Sequence, residues 1–306
     1  MSATGGFSRG FAVLIARLIA ETATLAERLD AAREELSARG WPVAMAETVM
    51  SGADAIELLL PEGDPAGVRD ILRRHFAPCD LLVSTREITV PKLFVSDMDS
   101  TMIGQECIDE LADFAGLKDQ VAAITERAMQ GELDFASALT ERVGLLADLP
   151  EEAIATCLAD RVRPMAGAGT LVATLKAHGC RTVLVTGGFH HFADPVAERL
   201  GFEHVVANRL AVAGGKLSGR LVGGITDSGV KRQVLLEEAA QLGDDVPTLA
   251  MGDGANDIPM LEAATWGIAY RAKPKARAAA DGWIERGDLT AVLDLLGIPR
   301  GEWVAS

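Results

Sequence analysis

Basic residues are in short supply: 29 lysines and arginines face 44 aspartates and glutamates, for a net charge of −15. Nucleic acids and anionic membrane surfaces are bound through basic patches, so neither is an expected partner. A small anionic substrate is not excluded, provided a few cations are focused locally. The four cysteines, Cys79, Cys107, Cys157 and Cys180, are scattered, with no C-x-x-C pair and no histidine at zinc spacing. They read as small buried hydrophobes in a reducing compartment. Long apolar runs are missing too: the longest near the start, Phe11 to Ala20, is interrupted by Arg17 and is far short of a membrane span. No small-residue cleavage site follows it, so it does not read as a signal peptide, and a soluble cytoplasmic protein is expected. Tyrosine and tryptophan are scarce, whereas nearly half the residues are apolar, ample for a packed core. At 306 residues the chain suits two or three domains, and it holds no internal repeat or low-complexity tract.

The most informative stretch is Lys92-Leu93-Phe94-Val95-Ser96-Asp97-Met98-Asp99-Ser100-Thr101. An apolar, strand-like run breaks into two carboxylates and two hydroxyls. Residues two apart in an extended chain point the same way, so Asp97 and Asp99 project together from the strand's carboxyl end. Open α/β sheets place their ligands there. Two ionised carboxylates about 4 Å apart repel by roughly 4 kcal/mol at an effective dielectric near 20. A divalent cation, a shared proton or a splayed chain must offset that. Taken alone, the same residues also make an ordinary Asp-rich turn.

The rest of the chain supplies the context. Residues 1–10 read as a loose end. Phe11–Ala16, Leu25–Leu36, Trp41–Val49, Ala53–Leu60, Pro65–His75 and Asp80–Ser84 read as β-α-β-β-α-β, with a turn at Ser51-Gly52. This unit, residues 1–85, has no catalytic constellation and suits a ligand-sensing, dimerising or packing role. Residues 86–91 are a linker. Helical spacing in Glu106–Phe114, Lys118–Met129, Asp134–Ala147 and Glu151–Leu158, separated by Gly116, Gly131 and Pro150, marks a helical insert over 105–165. Residues 92–104 and 166–306 then form the main domain. Its strands at Cys180–Val185, His204–Ala207, Thr248–Met251 and Gly267–Tyr270 alternate with helices. A hairpin is added at Leu210–Ala213 and Leu217–Val222. The expected fold is α/β, a doubly wound, mostly parallel sheet with a helical cap insert and a small α+β unit in front.

Three loops follow three of these strands: Asp97–Thr101, Thr186–Gly188 and Gly252–Asp257. In a parallel sheet they open on one edge and can converge. They bring four carboxylates, a hydroxyl at Thr186, a flexible Gly187-Gly188 backbone able to face an anion, and the Asn256 amide; Lys231 adds a cation. Oxygen-only ligands suit Mg²⁺, which usually binds one or two carboxylates together with phosphate oxygens. The combination points to phosphoryl transfer, with Asp97 attacking phosphorus and Asp99 handling the leaving-group proton. His190 and His191 read as a helix start near the site without chemistry, and Met98 and Phe189 as packing residues.

Asp97-Met98-Asp99-Ser100-Thr101, Thr186-Gly187-Gly188-Phe189, Lys231 and Gly252-Asp253-Gly254-Ala255-Asn256-Asp257 resemble the ordered motifs of the haloacid dehalogenase-like phosphatases. Ile103 to Glu110 and Gly131 to Pro150 resemble the phosphoserine phosphatases within that superfamily. The resemblance covers roughly residues 92–285 and implies Mg²⁺-dependent hydrolysis of L-phosphoserine, the last step of serine biosynthesis. It implies that Asp97 is the nucleophile and Asp99 the proton donor. It also implies metal held by Asp97, the Asp99 backbone carbonyl and Asp253, with Asp257 supporting a metal-bound water. Glu106 and Arg142 match contacts to the substrate's amino and carboxylate groups, Phe135 and Met129 apolar cap positions, and Gly187 and Asn256 phosphate-side contacts. The family often has Ser where this chain has Thr186; the hydroxyl is kept. The front unit resembles an ACT-type regulatory domain in topology only, which makes a homodimer through it an expectation to test. Other readings stay open: hydrolysis of a different small phosphomonoester or transfer of its phosphoryl group to an acceptor alcohol instead of water, and a phospho-accepting signalling domain. The latter lacks a second Asp two residues on and a helical insert.

Overall fold

The computed structural model of the chain describes residues 13–49, 55–130 and 132–305, without the side chains of Thr22 and Met129. The expected loose end at 1–10, the Ser51-Gly52 turn, the Gly131 separator and the Met129 cap contact lie outside the described residues.

The chain begins with β1 (Leu14–Ile19), α1 (Leu25–Ala38), β2 (Met45–Thr48), β3 (Ala55–Leu60), α2 (Pro65–Phe76) and β4 (Asp80–Ser84). β1 starts later than Phe11 and runs on through Arg17. A charge is tolerated inside this strand because Arg17 lies opposite Glu57 on β3 and bonds it at 2.7 Å. Several local signals agree on α2. Asp64 caps it by accepting the Gly67 N–H at 2.7 Å, and Pro65 opens its first turn. Val68, Ile71, Leu72 and Phe76 form its buried stripe, while Arg73, Arg74 and His75 lie in the last turn, where the helix dipole favours cations.

β5 (Leu93–Ser96) is buried throughout, as a strand covered on both faces must be. From its end come α3 (Cys107–Phe114), α4 (Lys118–Met129), α5 (Phe135–Leu145) and α6 (Glu152–Arg161), with no strand longer than an isolated bridge between them among the described residues. The chain returns through α7 (Ala168–Ala177), β6 (Arg181–Phe189), α8 (His190–Leu200), β7 (His204–Ala213), β8 (Lys216–Val222) and α9 (Ser228–Leu242). It closes with β9 (Thr248–Gly252), α10 (Ile258–Ala263), β10 (Trp266–Tyr270), α11 (Pro274–Ala279), β11 (Gly282–Ile284) and α12 (Ala291–Leu296).

Several boundaries differ from expectation, among them β2, which is only Met45–Thr48 of the expected Trp41–Val49. β6 continues through Thr186-Gly187-Gly188 to Phe189 with a register shift against β7, and α8 begins at once at His190. β7 is one ten-residue strand, where polar Asn208 and Arg209 read as a break between two. The short α11 and β11 carry no periodicity strong enough to announce them.

The eleven strands among the described residues join one sheet in the order β2-β3-β1-β4-β11-β10-β9-β5-β6-β7-β8. The six from β7 to β11 are parallel, while β8 and the first four strands pair antiparallel. From β5 the chain winds one way through β6 and β7, then crosses to β9, β10 and β11 on the other side. The switch point therefore lies beside the carboxyl end of β5, between β5 and β9.

The front unit is welded to the rest at β4–β11. Leu82 pairs with Gly282 and Leu81 with Trp283; a Cβ at residue 282 would lie 2.1 Å from the Leu81 carbonyl oxygen, so only glycine allows this approach. Buried Asp80 accepts the N–H groups of Glu285 and Arg286, both at 2.8 Å, and of Gly287 at 3.0 Å. The Trp266 indole N–H bonds Ser84 across the same seam at 3.0 Å.

Candidate active site

The loops after β5, β6 and β9 meet at the switch point. Asp97 is anchored there by its own N–H, which donates to the Met251 carbonyl at 2.9 Å. Its Oδ1 accepts the Met98 N–H at 2.8 Å and lies 2.7 Å from Lys231 Nζ. Lys231 sits in the first turn of α9, whose Asp227 cap accepts the Val230 N–H. The same ammonium reaches Asp257 Oδ1 at 2.7 Å. All three groups are buried, with Lys231 1% exposed. Asp257 Oδ2 accepts the N–H groups of Asp253 and Gly254, so both oxygens of Asp257 are already committed.

Burial and the neighbouring Asp257 push the Asp97 carboxyl well above its ordinary range. Burial alone would lower Lys231, but the attraction of Asp97 and Asp257 outweighs it and holds the ammonium above its usual value. Asp253 is raised to about 6, by burial first and Asp257 second. Oxygens of Asp97, Asp253 and Asp257 lie within 4.8 Å of one another. This buried, oxygen-only, mutually repelling set fits a hard divalent cation such as Mg²⁺. Because the oxygens of Asp257 are occupied by Lys231 and two amides, Asp97 and Asp253 are the freer ligands.

Asp99 has a different environment. Its Oδ1 is buried without a hydrogen-bond partner, and its carboxyl is raised to about 7 by burial and by the charge of Glu106. Glu106 stands at the start of α3 and accepts the Ser100 hydroxyl at 2.9 Å; Ser100 itself is left-handed, with φ 55°. Across a cavity of about 190 Å³ lies Arg142 of α5, whose buried Nε has no partner. Asp97, Asp99, Glu106, Arg142, Thr186, Gly187, Asp253 and Asn256 all line this cavity; Lys231 sits just behind it, bonded to Asp97. Phe135 of α5, itself exposed, also lines the cavity, 3.1 Å from where a Cβ on Gly187 would stand.

The Thr186 hydroxyl accepts the Gly188 N–H at 2.9 Å, which ties the β6 turn and leaves its own proton free to donate. Neither His190 nor His191 lines the cavity; His190 bonds Asp194 on its own helix at 2.7 Å. Met98 is fully buried packing, whereas Phe189 is buried and also reaches the cavity wall. Two contributors escaped the sequence reading. Asn208 donates to the Gly187 carbonyl at 2.7 Å and accepts the Thr226 N–H at 2.8 Å, holding the glycine turn from behind. Lys273 lines the cavity, and its N–H bonds the Asp253 carbonyl at 2.9 Å. The polar break in β7 was the only trace of the first, and nothing local marks the second.

The haloacid dehalogenase-like hydrolase profile matches residues 94–262, and the chain belongs to that family. A Mycobacterium tuberculosis relative named phosphoserine phosphatase SerB2 is 46% identical over 212 residues, 69% of this chain and 52% of that protein. The chain thus spans about half the length of that relative. The unliganded crystal structure of a probable phosphoserine phosphatase from Vibrio cholerae superposes with a TM-score of 0.72 at 34% identity, covering 93% of this chain and 86% of that one. A phospho-aspartyl intermediate analogue of phosphoserine phosphatase matches with a TM-score of 0.62 at 40% identity, covering 66% of this chain and 97% of that one. No helix among the described residues is long and apolar enough to cross a membrane.

Proposed function

We propose that the chain hydrolyses L-phosphoserine to L-serine and phosphate with Mg²⁺, through a phosphoryl group carried transiently on Asp97. The observation that carries this reading is one cavity lined by the carboxylate of Asp97, a carboxyl poised near pH 7, Glu106 and an arginine whose buried Nε has no partner. A phosphorylated amino acid offers the complementary groups: a phosphate, an amine and a carboxylate.

In this reading Arg142 takes the substrate carboxylate and Glu106 its ammonium, which turns the phosphate towards Asp97. Asp97 Oδ attacks phosphorus, and the P–O bond to the serine oxygen breaks. Protonated Asp99 gives its proton to that oxygen, so serine leaves neutral at the hydroxyl. Asp99, now ionised, takes a proton from water as the water attacks the phosphoryl group and frees Asp97. Lys231, Thr186, Gly187 and Asn256 hold the phosphoryl oxygens and offset charge that builds up when an anion attacks an anion. Mg²⁺ held by Asp97, the Asp99 backbone carbonyl and Asp253 would supply further charge neutralisation. Phe135 lines the cavity on its cap side, where closure of the cap over bound substrate would exclude water.

The named relatives support the substrate, and the phospho-aspartyl analogue supports the covalent step. The reading places the protein at the last step of serine biosynthesis in the cytoplasm. In the same reading the described part of residues 1–85 is an ACT-like unit suited to dimerising or sensing, and the described part of 105–165 a cap on the core of 92–104 and 166–306. The test is phosphate release across phosphoserine, phosphothreonine and sugar phosphates with Mg²⁺. Phosphoserine is expected to lead, and Asp97→Asn to abolish turnover. Sugar phosphates turning over faster would overturn the substrate, and an active Asp97→Asn would overturn the nucleophile.

A further inference from the structure

Helices α2 and α11 approach each other across the seam between the front unit and the core. A second cavity of about 330 Å³ opens between them, sharing no lining residue with the catalytic one. In a chain of net charge −15 its walls carry three arginines, Arg69 and Arg73 from α2 and Arg277 from α11, against a single carboxylate, Asp70. Pro274 and Trp283 supply an apolar side.

The arginines are unevenly matched. Arg73 bonds Asp70 at 2.9 Å, and Arg277 pairs with Glu285. Arg69 is the most enclosed, with a side chain 15% exposed, yet it makes no hydrogen bond among the described residues. Its nearest carboxylate is Asp281 Oδ1 at 3.9 Å, and Asp281 faces the neighbouring cavity, with its other oxygen accepting the Gly267 N–H. Burial lowers the Arg69 guanidinium more than Asp281 and Asp64 restore it. A planar fork of five donors is thus held half out of water with no acceptor bonded to it.

We propose that this cleft binds a small oxyanion carrying at least two negative charges, a phosphate or a dicarboxylate, between Arg69, Arg73 and Arg277. Arginine forks match either group through paired N–H donors. The occupant would touch both the front unit and α11, whose capping residue Lys273 lines the catalytic cavity. It would therefore clasp the seam beside the active site. The inference does not depend on which phosphomonoester the catalytic cavity takes.

Equilibrium dialysis of the full chain against radiolabelled inorganic phosphate tests it. Two equivalents are expected to bind, one in each cavity, and only one in the Arg69→Gln/Arg277→Gln variant. A variant that binds as many equivalents as the wild-type chain would overturn the site; a single wild-type equivalent that the variant loses would leave the cleft standing and count instead against phosphate in the catalytic cavity. If the double variant unfolds and loses both equivalents, Arg73→Glu on the exposed side of α2 decides. It is expected to weaken the second equivalent by about tenfold or more, the effect of losing a charge-assisted bond; unchanged affinity would overturn the proposal. Succinate displacing the second equivalent would assign the cleft to oxyanions generally, whereas phosphate held against succinate would assign it to phosphoryl groups.

Discussion

Replacing Lys231 by methionine removes the cation bonded to the two buried carboxylates Asp97 and Asp257 and keeps the length of the side chain. Each 2.7 Å contact, to Asp97 and to Asp257, represents about 6 kcal/mol of Coulomb attraction at an effective dielectric near 20. Desolvation of three buried charges offsets most of that sum. What the variant exposes is the cost of two carboxylates left facing each other without a counter-ion, about 3–5 kcal/mol. Urea unfolding at pH 8 in a chelator is expected to show that loss. Added Mg²⁺ should return part of it, because a divalent cation can take up the same excess charge. The deficit should also shrink on acidification. In the intact site Lys231 is what holds the raised Asp97 carboxyl down, so without it that carboxyl rises further above its unfolded value and folding favours its protonated form more strongly. The resulting stability is fully present below the unfolded carboxylate range and is lost as pH rises through the folded pKa. A variant as stable as wild type at pH 8 without metal would refute the reasoning, since it would mean that Asp97 and Asp257 are not opposed charges at all.

Three further outcomes can be checked. Arg142→Ala is expected to cut kcat/KM for phosphoserine by about ten- to hundredfold, the worth of a lost charge-assisted bond, with little change for p-nitrophenyl phosphate; equal losses on both substrates would remove Arg142 from carboxylate recognition. With Asp99 raised to about 7, kcat/KM should fall as pH rises through neutrality and the acid deprotonates. Asp99→Asn should flatten that limb and lower kcat by about 10²–10⁴; a limb that survives the substitution belongs to another group. Asp80→Ala strands three backbone N–H donors at the β4–β11 seam, and a loss of about 3 kcal/mol in urea unfolding is expected, with kcat unchanged.

Where local chemistry decides the structure, the sequence was legible. α4 spans Lys118–Met129 and β4 spans Asp80–Ser84 as read, because spacing and flanking turn residues act within a few positions. The three site loops were legible through their combination: each alone could be an ordinary turn, but loops rich in carboxylates and glycines after three apolar strands of one parallel sheet open on one edge. Contacts between distant residues left no such mark. Arg17 inside β1 looks like an interruption until Glu57 is placed opposite it. Asn208 looks like a break in β7 until its amide is seen between Gly187 and Thr226. β11 is three residues long, and its place depends on strands far away in the chain.

The junction of β4 with β11 also bears on how such a chain can be divided. A sheet ends safely only where its last strand is short, charged or covered, because bare amides and carbonyls recruit other strands. Here the outermost parallel strand is sheathed by β4, and the open margin is passed outward to β2, four exposed residues long. Cutting this chain near residue 90 would strip that sheath and leave Trp283 on a raw border. The small front unit thus doubles as a hem for the large sheet, whatever else it binds.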